Sequence, residues 1–335
     1  MNKKPIICIS LGDAAGIGSE IVIKSLANKN VYSDEYKYII IGSKQVFEKG
    51  QKIVNKYYPE VAMFASIEDA GTSDDTIVFL DIPFETDFNF LMGQNNKEAG
   101  KYDYLLTNNI IDYFKKGFLD AFVFAPVNKK SMEMGGSPHE GYKACLAHNL
   151  KFKGISSEIN ILDDLWTTRV TSHMSIKDVP NYITKDNIAN ILRYFNTELV
   201  KYGIKEPLIA VSGLNPHNGD KGIFGNEEQS EITPAIEEVR KEGINAFGPV
   251  PADTIFLTKN ISGIVCMYHD QCQIATKLMG FFRGVTYFGG LPFPLSTPAH
   301  GTAFDIAGKG IANETPFINA VLLAKQMVGK EKLNI

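Results

Sequence analysis

Short β-branched runs alternate with helical segments along the chain, and this alternation restricts the possible fold more than any other feature. Strand-like runs occupy residues 5–11, 38–41, 76–80, 121–125, 167–172, 208–212 and 264–267, and helical patterns occupy 95–114, 186–202 and 233–242. An order of strand, helix and strand favours a mainly parallel sheet with helices on both faces. The sequence therefore predicts an α/β protein.

Length and charge narrow the class of protein further. A chain of 335 residues can form two domains or one large α/β unit. Its formal net charge of −4 offers no excess of basic groups for a nucleic acid. The first apolar run stops at Gly12-Asp13, so we interpret it as a strand and not as a signal peptide. Because no apolar run approaches the roughly 20 residues that span a bilayer, we expect a cytoplasmic protein without nucleic-acid or membrane partners.

The cysteines give a prediction about redox state. Cys8, Cys145, Cys266 and Cys272 lie in apolar or motif surroundings, and none of them has C-x-x-C spacing. This usage is typical of reduced thiols in a cytosolic protein.

A glycine loop follows the first strand and precedes the first helical segment. Its glycines fall at 12, 16 and 18, which gives G-x-x-x-G-x-G and not the dinucleotide fingerprint or a P-loop. A junction of this kind directs backbone N–H groups and the positive end of a helix dipole at whatever binds there. A ligand-binding loop and a plain tight turn both stay open at this point.

Three histidines, His173, His217 and His269, each follow a predicted strand in separate βα units. Because the carboxyl ends of parallel strands lie along one edge of a sheet, these side chains can converge. Three neutral imidazoles suit a divalent ion such as Zn²⁺, Co²⁺ or Ni²⁺ and leave a position open for substrate. The alternative is three separate hydrogen-bonded histidines. Asp253 and Asp270 are the carboxylates best placed to orient ligands or to transfer protons.

Motifs spread along the whole chain carry a resemblance to a known family. They include Gly-Leu-Asn-Pro-His at 213–217 and Tyr-His-Asp-Gln at 268–271, and the remaining segments are 12–20, 125–129, 173 with 178–180, 225–228, 248–254 and 300–308. In this order they resemble the 4-hydroxythreonine-4-phosphate dehydrogenase family of pyridoxal phosphate biosynthesis. The resemblance implies two α/β/α domains with a cleft between them, like isocitrate and isopropylmalate dehydrogenases, in a homodimer with shared active sites.

The resemblance also assigns domains and roles. We expect a first domain of residues 1–130 plus 275–335 and a second domain of residues 131–274 that contributes to the dimer interface, with the glycine-rich segment 132–148 as an irregular loop or crossover. The implied reaction is oxidation of a secondary alcohol by NAD or NADP, aided by a divalent metal (Zn, Co, Ni or Mg), after which the β-keto acid loses CO₂.

The predicted residues are His173, His217 and His269 for the metal, Asp253, Asp270 and Lys277 for catalysis, and Gly12, Asp13, Gly16, His300 and Gly301 for the cofactor. Lys277 is also expected to contact the substrate.

The departures from the family pattern fall on the substrate side. Tyr142 and Lys143 replace a His-Thr pair, Thr286 replaces an Asn, and Leu295 replaces an Arg. Leucine offers nothing in place of the bidentate fork with which arginine holds phosphate or carboxylate, although Lys143 or Arg283 can supply positive charge. We therefore predict a different hydroxy-acid substrate, smaller or less phosphorylated.

Two alternatives stay open. The chain can be the orthodox biosynthetic enzyme with a substituted but working anion pocket, or a non-catalytic homologue that only binds a ligand. The intact histidines and aspartates disfavour the second, because a protein without turnover has no chemical reason to keep them all.

Overall fold

The computed structural model describes residues 4–28, 30–55, 58–84, 88–89, 91–139 and 141–328. Within these ranges, twelve strands and ten α-helices form two compact units: unit 2 holds residues 155–284, and unit 1 holds the residues before and after it. None of the helices in these ranges combines the length and apolar character needed to cross a bilayer. In chain order the elements are β1 (Ile6–Ser10), α1 (Gly18–Leu26), β2 (Lys37–Gly42), α2 (Lys44–Val54), β3 (Ala62–Phe64), α3 (Ile67–Thr72), β4 (Ile77–Asp81), α4 (Lys97–Lys115), β5 (Ala121–Phe124), α5 (Lys129–Met134), α6 (Tyr142–Asn149), β6 (Glu158–Leu162), β7 (Leu165–Arg169), α7 (Lys185–Tyr202), β8 (Ile209–Ser212), α8 (Thr233–Lys241), β9 (Ala246–Val250), β10 (Gly263–Cys266), α9 (His269–Gly280), β11 (Val285–Phe288), β12 (Leu295–Pro298) and α10 (Thr315–Val328).

Unit 1 is built on the strand order β3-β4-β2-β1-β5-β12-β11. All these pairs are parallel except β11 with β12. Every residue of β1 and β2 is buried. Apart from Lys37 at the start of β2, both strands are continuous apolar or small runs without alternation, as expected for parallel strands covered on two faces. The predicted α/β class is confirmed.

Unit 2 has the order β6-β7-β10-β8-β9, in which only β6 with β7 is antiparallel. The strands β7, β10 and β8 are therefore adjacent and parallel. Their carboxyl ends lie along one edge of this sheet, and the three predicted metal ligands follow those ends.

Residues 132–148 were expected to be irregular, and the structure corrects this. The segment contains the second half of α5 and all but the last residue of α6. Asn128 caps α5 by accepting a hydrogen bond from the Ser131 N–H at 2.8 Å, and the Tyr142 ring packs against Phe122 and Phe124. The glycines and the proline at 135–138 join two short helices and so mask the helical signal. Helices α5 and α6 pack on α4 and so belong to unit 1. The chain therefore passes from unit 1 to unit 2 after residue 154 and returns after residue 284. The boundaries expected from the sequence are 130 and 274.

Candidate active site

The three histidines of unit 2 follow three neighbouring strands. His173 comes four residues after the end of β7, His269 three after the end of β10, and His217 five after the end of β8. The imidazole rings of His173 and His269 have centroids 5.7 Å apart. Parallel strands thus deliver chemistry-bearing side chains from distant parts of the sequence to one edge.

Hydrogen bonds tie the three histidine segments together. Thr171, two residues before His173, donates to the Met267 carbonyl through its N–H at 3.0 Å and its hydroxyl at 2.8 Å. The Gln271 amide donates to the Gly213 carbonyl at 2.9 Å and accepts from the Met267 N–H at 2.8 Å. Sequence reasoning gave Gln271 no role of its own, although its place two residues after His269 in the first turn of α9 is the signal for one.

His217 opens a turn of unusual backbone conformation. Residues 217–221 all have positive φ, with values of 53°, 55°, 74°, 42° and 58°. A left-handed conformation costs about 1–2 kcal/mol for each residue other than glycine. Such strain persists only where the surroundings enforce it, and it concentrates at functional sites.

Glu228 holds the segment that leads into this turn. Its side chain is almost fully buried, and Oε1 accepts from the backbone N–H groups of Leu214 at 2.8 Å and Asn215 at 2.7 Å. Oε2 accepts from the Asn215 side-chain amide at 3.0 Å. Glu227 accepts from the same amide at 2.7 Å, and Asn218 donates to the Pro249 carbonyl at 2.8 Å. The approach to His217 is thus fixed by residues that lie far from it in sequence.

We expect Glu228→Ala to destabilise the protein by about 2–4 kcal/mol, because the backbone N–H groups of the half-buried residues Leu214 and Asn215 lose a charged acceptor. Urea denaturation measures the change. Glu227→Ala is the matched control, since it removes an acceptor from one side-chain amide only, and its cost should stay below about 1.5 kcal/mol. Equal costs for the two variants would show that Glu228 does not hold the turn.

The predicted catalytic carboxylates and lysine all lie in unit 2. Asp270 Oδ1 is 2.6 Å from His269 Nδ1, and this contact leaves Nε2 of the ring for a ligand. Asp253 is exposed in the loop after β9, and Lys277 is exposed on α9, about two turns beyond His269.

A complete three-histidine group is not seen within one chain. In the ranges that the structure describes, no three His, Cys, Asp or Glu side chains lie close enough together to hold a metal ion. The rings of His173 and His269 approach each other, but with His217 they do not form such a group. The resemblance implies a site completed across two subunits, so the three-ligand metal site stays a prediction.

The expectation of reduced thiols is wrong for two of the four cysteines. Cys266, the last residue of β10, is disulfide-bonded to Cys272 in the first turn of α9, and the bridge encloses the His269 segment. Cys8 and Cys145 are free thiols. The chain reverses direction between the end of β10 and the start of α9, and this reversal brings the two sulfurs together. The sequence offers no sign of the bridge, because C-x₅-C is not a recognised redox motif.

The predicted cofactor segments come together in unit 1. The Ile17 N–H donates to the Thr302 carbonyl at 3.2 Å, and Glu20 accepts from the Gly308 N–H at 2.6 Å. Gly12 has φ +68°, and a Cβ there would lie 2.5 Å from two carbonyl oxygens, so this position requires glycine.

The predicted cofactor residues differ in their exposure. Gly12, Asp13 and Gly16 are buried, His300 is half-buried and Gly301 is exposed. Burial lowers the pKa of His300, which keeps its ring neutral near pH 7.

The substituted substrate positions lie in unit 1. Tyr142 and Leu295 are buried, and Leu295 pairs with Phe122 in the sheet. Thr286 is half-buried in β11. The Lys143 ammonium lies 5.8 Å from the centroid of the Phe288 ring.

Arg283, the other candidate for replacing the missing charge, is already paired. Its guanidinium donates to both carboxylate oxygens of Asp163, at distances from 3.0 to 3.3 Å. Sequence reasoning could not foresee this partner, which lies 120 residues away.

Comparison with known proteins places these features in context. The model of the family described as pyridoxal phosphate biosynthetic protein PdxA matches residues 34–324. A putative 4-hydroxythreonine-4-phosphate dehydrogenase 2 of Pseudomonas aeruginosa is 40% identical over 314 residues, which cover 92% of this chain and 93% of the relative. A putative D-threonate 4-phosphate dehydrogenase of Halalkalibacterium halodurans is 36% identical over 329 residues, which cover 97% of each chain.

Solved structures show the same relationship. The crystal structure of 4-hydroxythreonine-4-phosphate dehydrogenase from Klebsiella pneumoniae matches with a TM-score of 0.83 and 28% identity, and the match covers 98% of this chain and 99% of that one. A β-decarboxylating dehydrogenase from Thermococcus kodakarensis matches with a TM-score of 0.53 and 15% identity, over 98% and 85% of the two chains. This second likeness concerns the fold alone, and it confirms the predicted dehydrogenase-like fold class.

Proposed function

The chain belongs to the family of the pyridoxal phosphate biosynthetic protein PdxA, and on that basis we propose that it is a metal-dependent NAD(P) dehydrogenase that oxidises the secondary alcohol of a small hydroxy acid. Its relatives are named as dehydrogenases of phosphorylated hydroxy acids, so an alcohol dehydrogenase-type enzyme is established at that level. One observation supports metal dependence in particular. The segments that contain the three histidines follow three adjacent parallel strands, and hydrogen bonds from Thr171 and Gln271 link these segments to one another.

His173, His217 and His269 are the residues that would hold a divalent ion, and their imidazole nitrogens fit zinc, cobalt or nickel better than magnesium. A bound ion would polarise the substrate hydroxyl and stabilise its developing negative charge. Asp270 fixes the ring of His269 through Nδ1. Asp253 and Lys277 are exposed in unit 2, and we propose that they bind substrate or move its proton.

The cofactor would bind at the glycine loop and the 300–310 segment, which hydrogen bonds hold side by side. A bound NAD or NADP would supply the hydride acceptor for the carbon that bears the alcohol. If that carbon is β to a carboxylate, the product is a β-keto acid, which loses CO₂ readily.

A second copy of the chain is the partner that we propose for α9. The helix and the turn after it expose Ile274, Leu278, Met279, Phe281 and Phe282, and Leu278 is 84% exposed. Exposed apolar patches of this kind mark protein interfaces. Because His269 and Lys277 lie on the same helix, a partner docked there would stand next to the proposed site and can complete it.

The substrate class follows from the distribution of charge. Leu295 carries no charge, Arg283 is paired with Asp163, and Lys143 is the cation beside β11. We infer a substrate that needs less phosphate recognition than 4-phosphohydroxythreonine. The orthodox alternative is supported equally, because the names of the two relatives given above both specify a 4-phosphate.

A comparison of each hydroxy acid with its 4-phosphate distinguishes the two substrates. Each lost charge-assisted hydrogen bond costs roughly 1.5–3 kcal/mol, so losing two weakens phosphate binding by about two to four powers of ten. We expect a kcat/KM for 4-phosphohydroxythreonine well below the ordinary range, and better turnover of an unphosphorylated acid. A kcat/KM of about 10⁴ M⁻¹s⁻¹ or above on the phosphorylated compound would establish the orthodox function instead.

A further inference from the structure

A buried arginine in unit 2 has no part in the chemistry proposed above. Arg169 is the last residue of β7, and it is only 3% exposed. Its guanidinium donates hydrogen bonds from all three nitrogens: Nε to the Ser172 hydroxyl at 3.1 Å, Nη1 to Oδ1 of Asn160 at 2.5 Å, and Nη2 to the Glu158 carboxylate. Arginine is almost never fully buried unless it is paired, and here the pairing joins β6, β7 and the loop after β7.

The bond from Nε reaches the segment that contains His173. Ser172, whose hydroxyl accepts this bond, directly precedes His173. The carbonyl of Ser172 accepts from the Met174 N–H at 2.6 Å, so a three-residue turn closes around His173. A shift of the Ser172 side chain would therefore reach the backbone on both sides of this histidine.

The bond from Nη1 connects Arg169 with α9. Oδ1 of Asn160, which accepts from Arg169, also accepts from the Gln273 side-chain amide at 2.5 Å. Gln273 is 9% exposed, and it follows His269 by four residues, so the two side chains are neighbours on one face of the helix. Arg169 and Asn160 thus link the start of α9 to the turn around His173.

The energetics of buried ion pairs point to a geometric role for Arg169. Replacing such a pair by apolar residues of similar volume is often neutral or stabilising, so stability alone does not account for Arg169 and Glu158. Apolar side chains cannot reproduce the direction of the bonds. The planar guanidinium holds its donors in a rigid fork, and partners that bind to it are therefore held relative to one another.

We propose that Arg169 is a positioning residue for two of the proposed metal ligands, His173 and His269. It acts through Ser172 and Asn160, and it sets the separation of the two rings, whose centroids are 5.7 Å apart. Bonds from zinc to histidine nitrogen are about 2.0–2.1 Å long, so an ion that binds both rings accepts a narrow range of separations. The proposal rests on the proposed function to the extent that these rings bind a metal ion.

Three variants of Arg169 test the proposal. Arg169→Lys keeps the charge but loses the fork, and Arg169→Met loses every donor and leaves the Glu158 carboxylate without this partner. The double variant Arg169→Met with Glu158→Gln removes that carboxylate charge, so it should recover much of the lost stability. Arg193→Met is the matched control, because the guanidinium of Arg193 in α7 pairs with the carboxylates of Glu238 and Glu242 and not with a histidine segment.

Three readouts distinguish a positioning role from a contribution to stability. The first is amide hydrogen exchange at Met174 in the metal-free protein, because this N–H closes the turn around His173. The second is the affinity for Co²⁺, and the third is the visible absorption spectrum of the Co²⁺-loaded protein, which reports the geometry of the ligands. Urea denaturation shows how much stability each variant retains.

We expect all three Arg169 variants, including the double variant, to exchange faster at Met174 and to show an altered cobalt spectrum. Their affinity for Co²⁺ should fall about tenfold, at the lower end of the 10–100-fold typical of residues that orient a metal ligand, because Arg169 acts through one further residue. Arg193→Met should match the unmodified protein in all three readouts.

Two results would overturn the proposal. An affinity for Co²⁺ and a spectrum in the double variant like those of the unmodified protein would show that Arg169 contributes to stability only. An Arg169→Lys protein that matches the unmodified protein would show that the charge matters and the fork does not. If the Arg169 variants do not fold, Ser172→Ala decides, because it removes only the hydroxyl that Arg169 holds: its exchange at Met174 should rise, and an unchanged rate counts against the proposal.

The readouts also separate this proposal from the proposed function. Exchange at Met174 is measured without metal, so it tests the hold of Arg169 on the His173 turn even if the unmodified protein binds no Co²⁺. Faster exchange in the variants with no Co²⁺ bound by the unmodified protein would uphold that hold and refute the metal site. Cobalt-dependent turnover with unaltered exchange and affinity in the variants would do the reverse.

Discussion

Replacing His217 with alanine should lower the affinity for divalent metal by more than about 100-fold, because even a residue that only orients a metal ligand contributes 10–100-fold. Turnover should fall with it at limiting metal, since the substrate hydroxyl is no longer polarised. Metal content per subunit after dialysis, measured by mass spectrometry, checks the first effect. The rate of NAD(P)H formation checks the second.

The matched control is His148→Ala. His148 is an exposed histidine on α6 of unit 1, outside the three histidine segments, and its loss should leave the metal content unchanged. His173→Ala and His269→Ala should behave like His217→Ala. A His217→Ala protein that still holds one ion per subunit would remove His217 from the set of ligands, and the left-handed turn would then need another explanation.

Placing a charge on the exposed face of α9 should separate the subunits. Leu278 is the most exposed apolar residue of that face, and burying a leucine is worth about 1.5–3 kcal/mol. In a symmetric dimer each change counts twice, so Leu278→Glu should weaken association by about two to four powers of ten. If the site is shared, activity at low protein concentration should fall in parallel.

Sedimentation velocity and specific activity over a dilution series measure both effects. Val200→Glu is the control, because Val200 is also an exposed apolar residue of unit 2 but lies on α7 and not on α9. It should change neither the assembly nor the activity. An unmodified protein that is monomeric and fully active at the assay concentration would contradict the shared site.

Much of the framework was predictable from local sequence. The runs at 5–11, 38–41, 121–125 and 208–212 became β1, β2, β5 and β8 with ends within two residues, because a parallel strand buried on both faces is an unbroken apolar run. The approach of His173 to His269 followed from the same logic, since both lie just past the ends of parallel strands. The resemblance to the family was carried by motifs in these loops, and the comparisons confirm it.

Other parts of the site depend on contacts that local sequence does not encode. Glu228 holds the turn of His217 through backbone N–H groups 13 and 14 residues away, and Asp163 pairs with Arg283 from a distance of 120 residues. Alignment to a family gives the position of a residue but not the direction of its side chain. Tyr142 and Leu295 show the difference, because both occupy positions predicted for substrate and both are buried in unit 1. Local sequence also did not predict β9. Its Gly-Pro sequence is typical of a loop, but the segment pairs with β8 in the sheet.

The most direct test of the central claim is the reversible dependence of turnover on metal. The purified protein is stripped with a chelator, assayed for reduction of NAD⁺ and NADP⁺ with a panel of hydroxy acids and their 4-phosphates, and then reconstituted with one divalent ion per subunit. The account predicts no reduction in the stripped protein and restored reduction with zinc, cobalt or nickel on at least one hydroxy acid, and no restoration in His217→Ala. Full turnover by the stripped protein, or none from the reconstituted protein with any member of the panel, would contradict it.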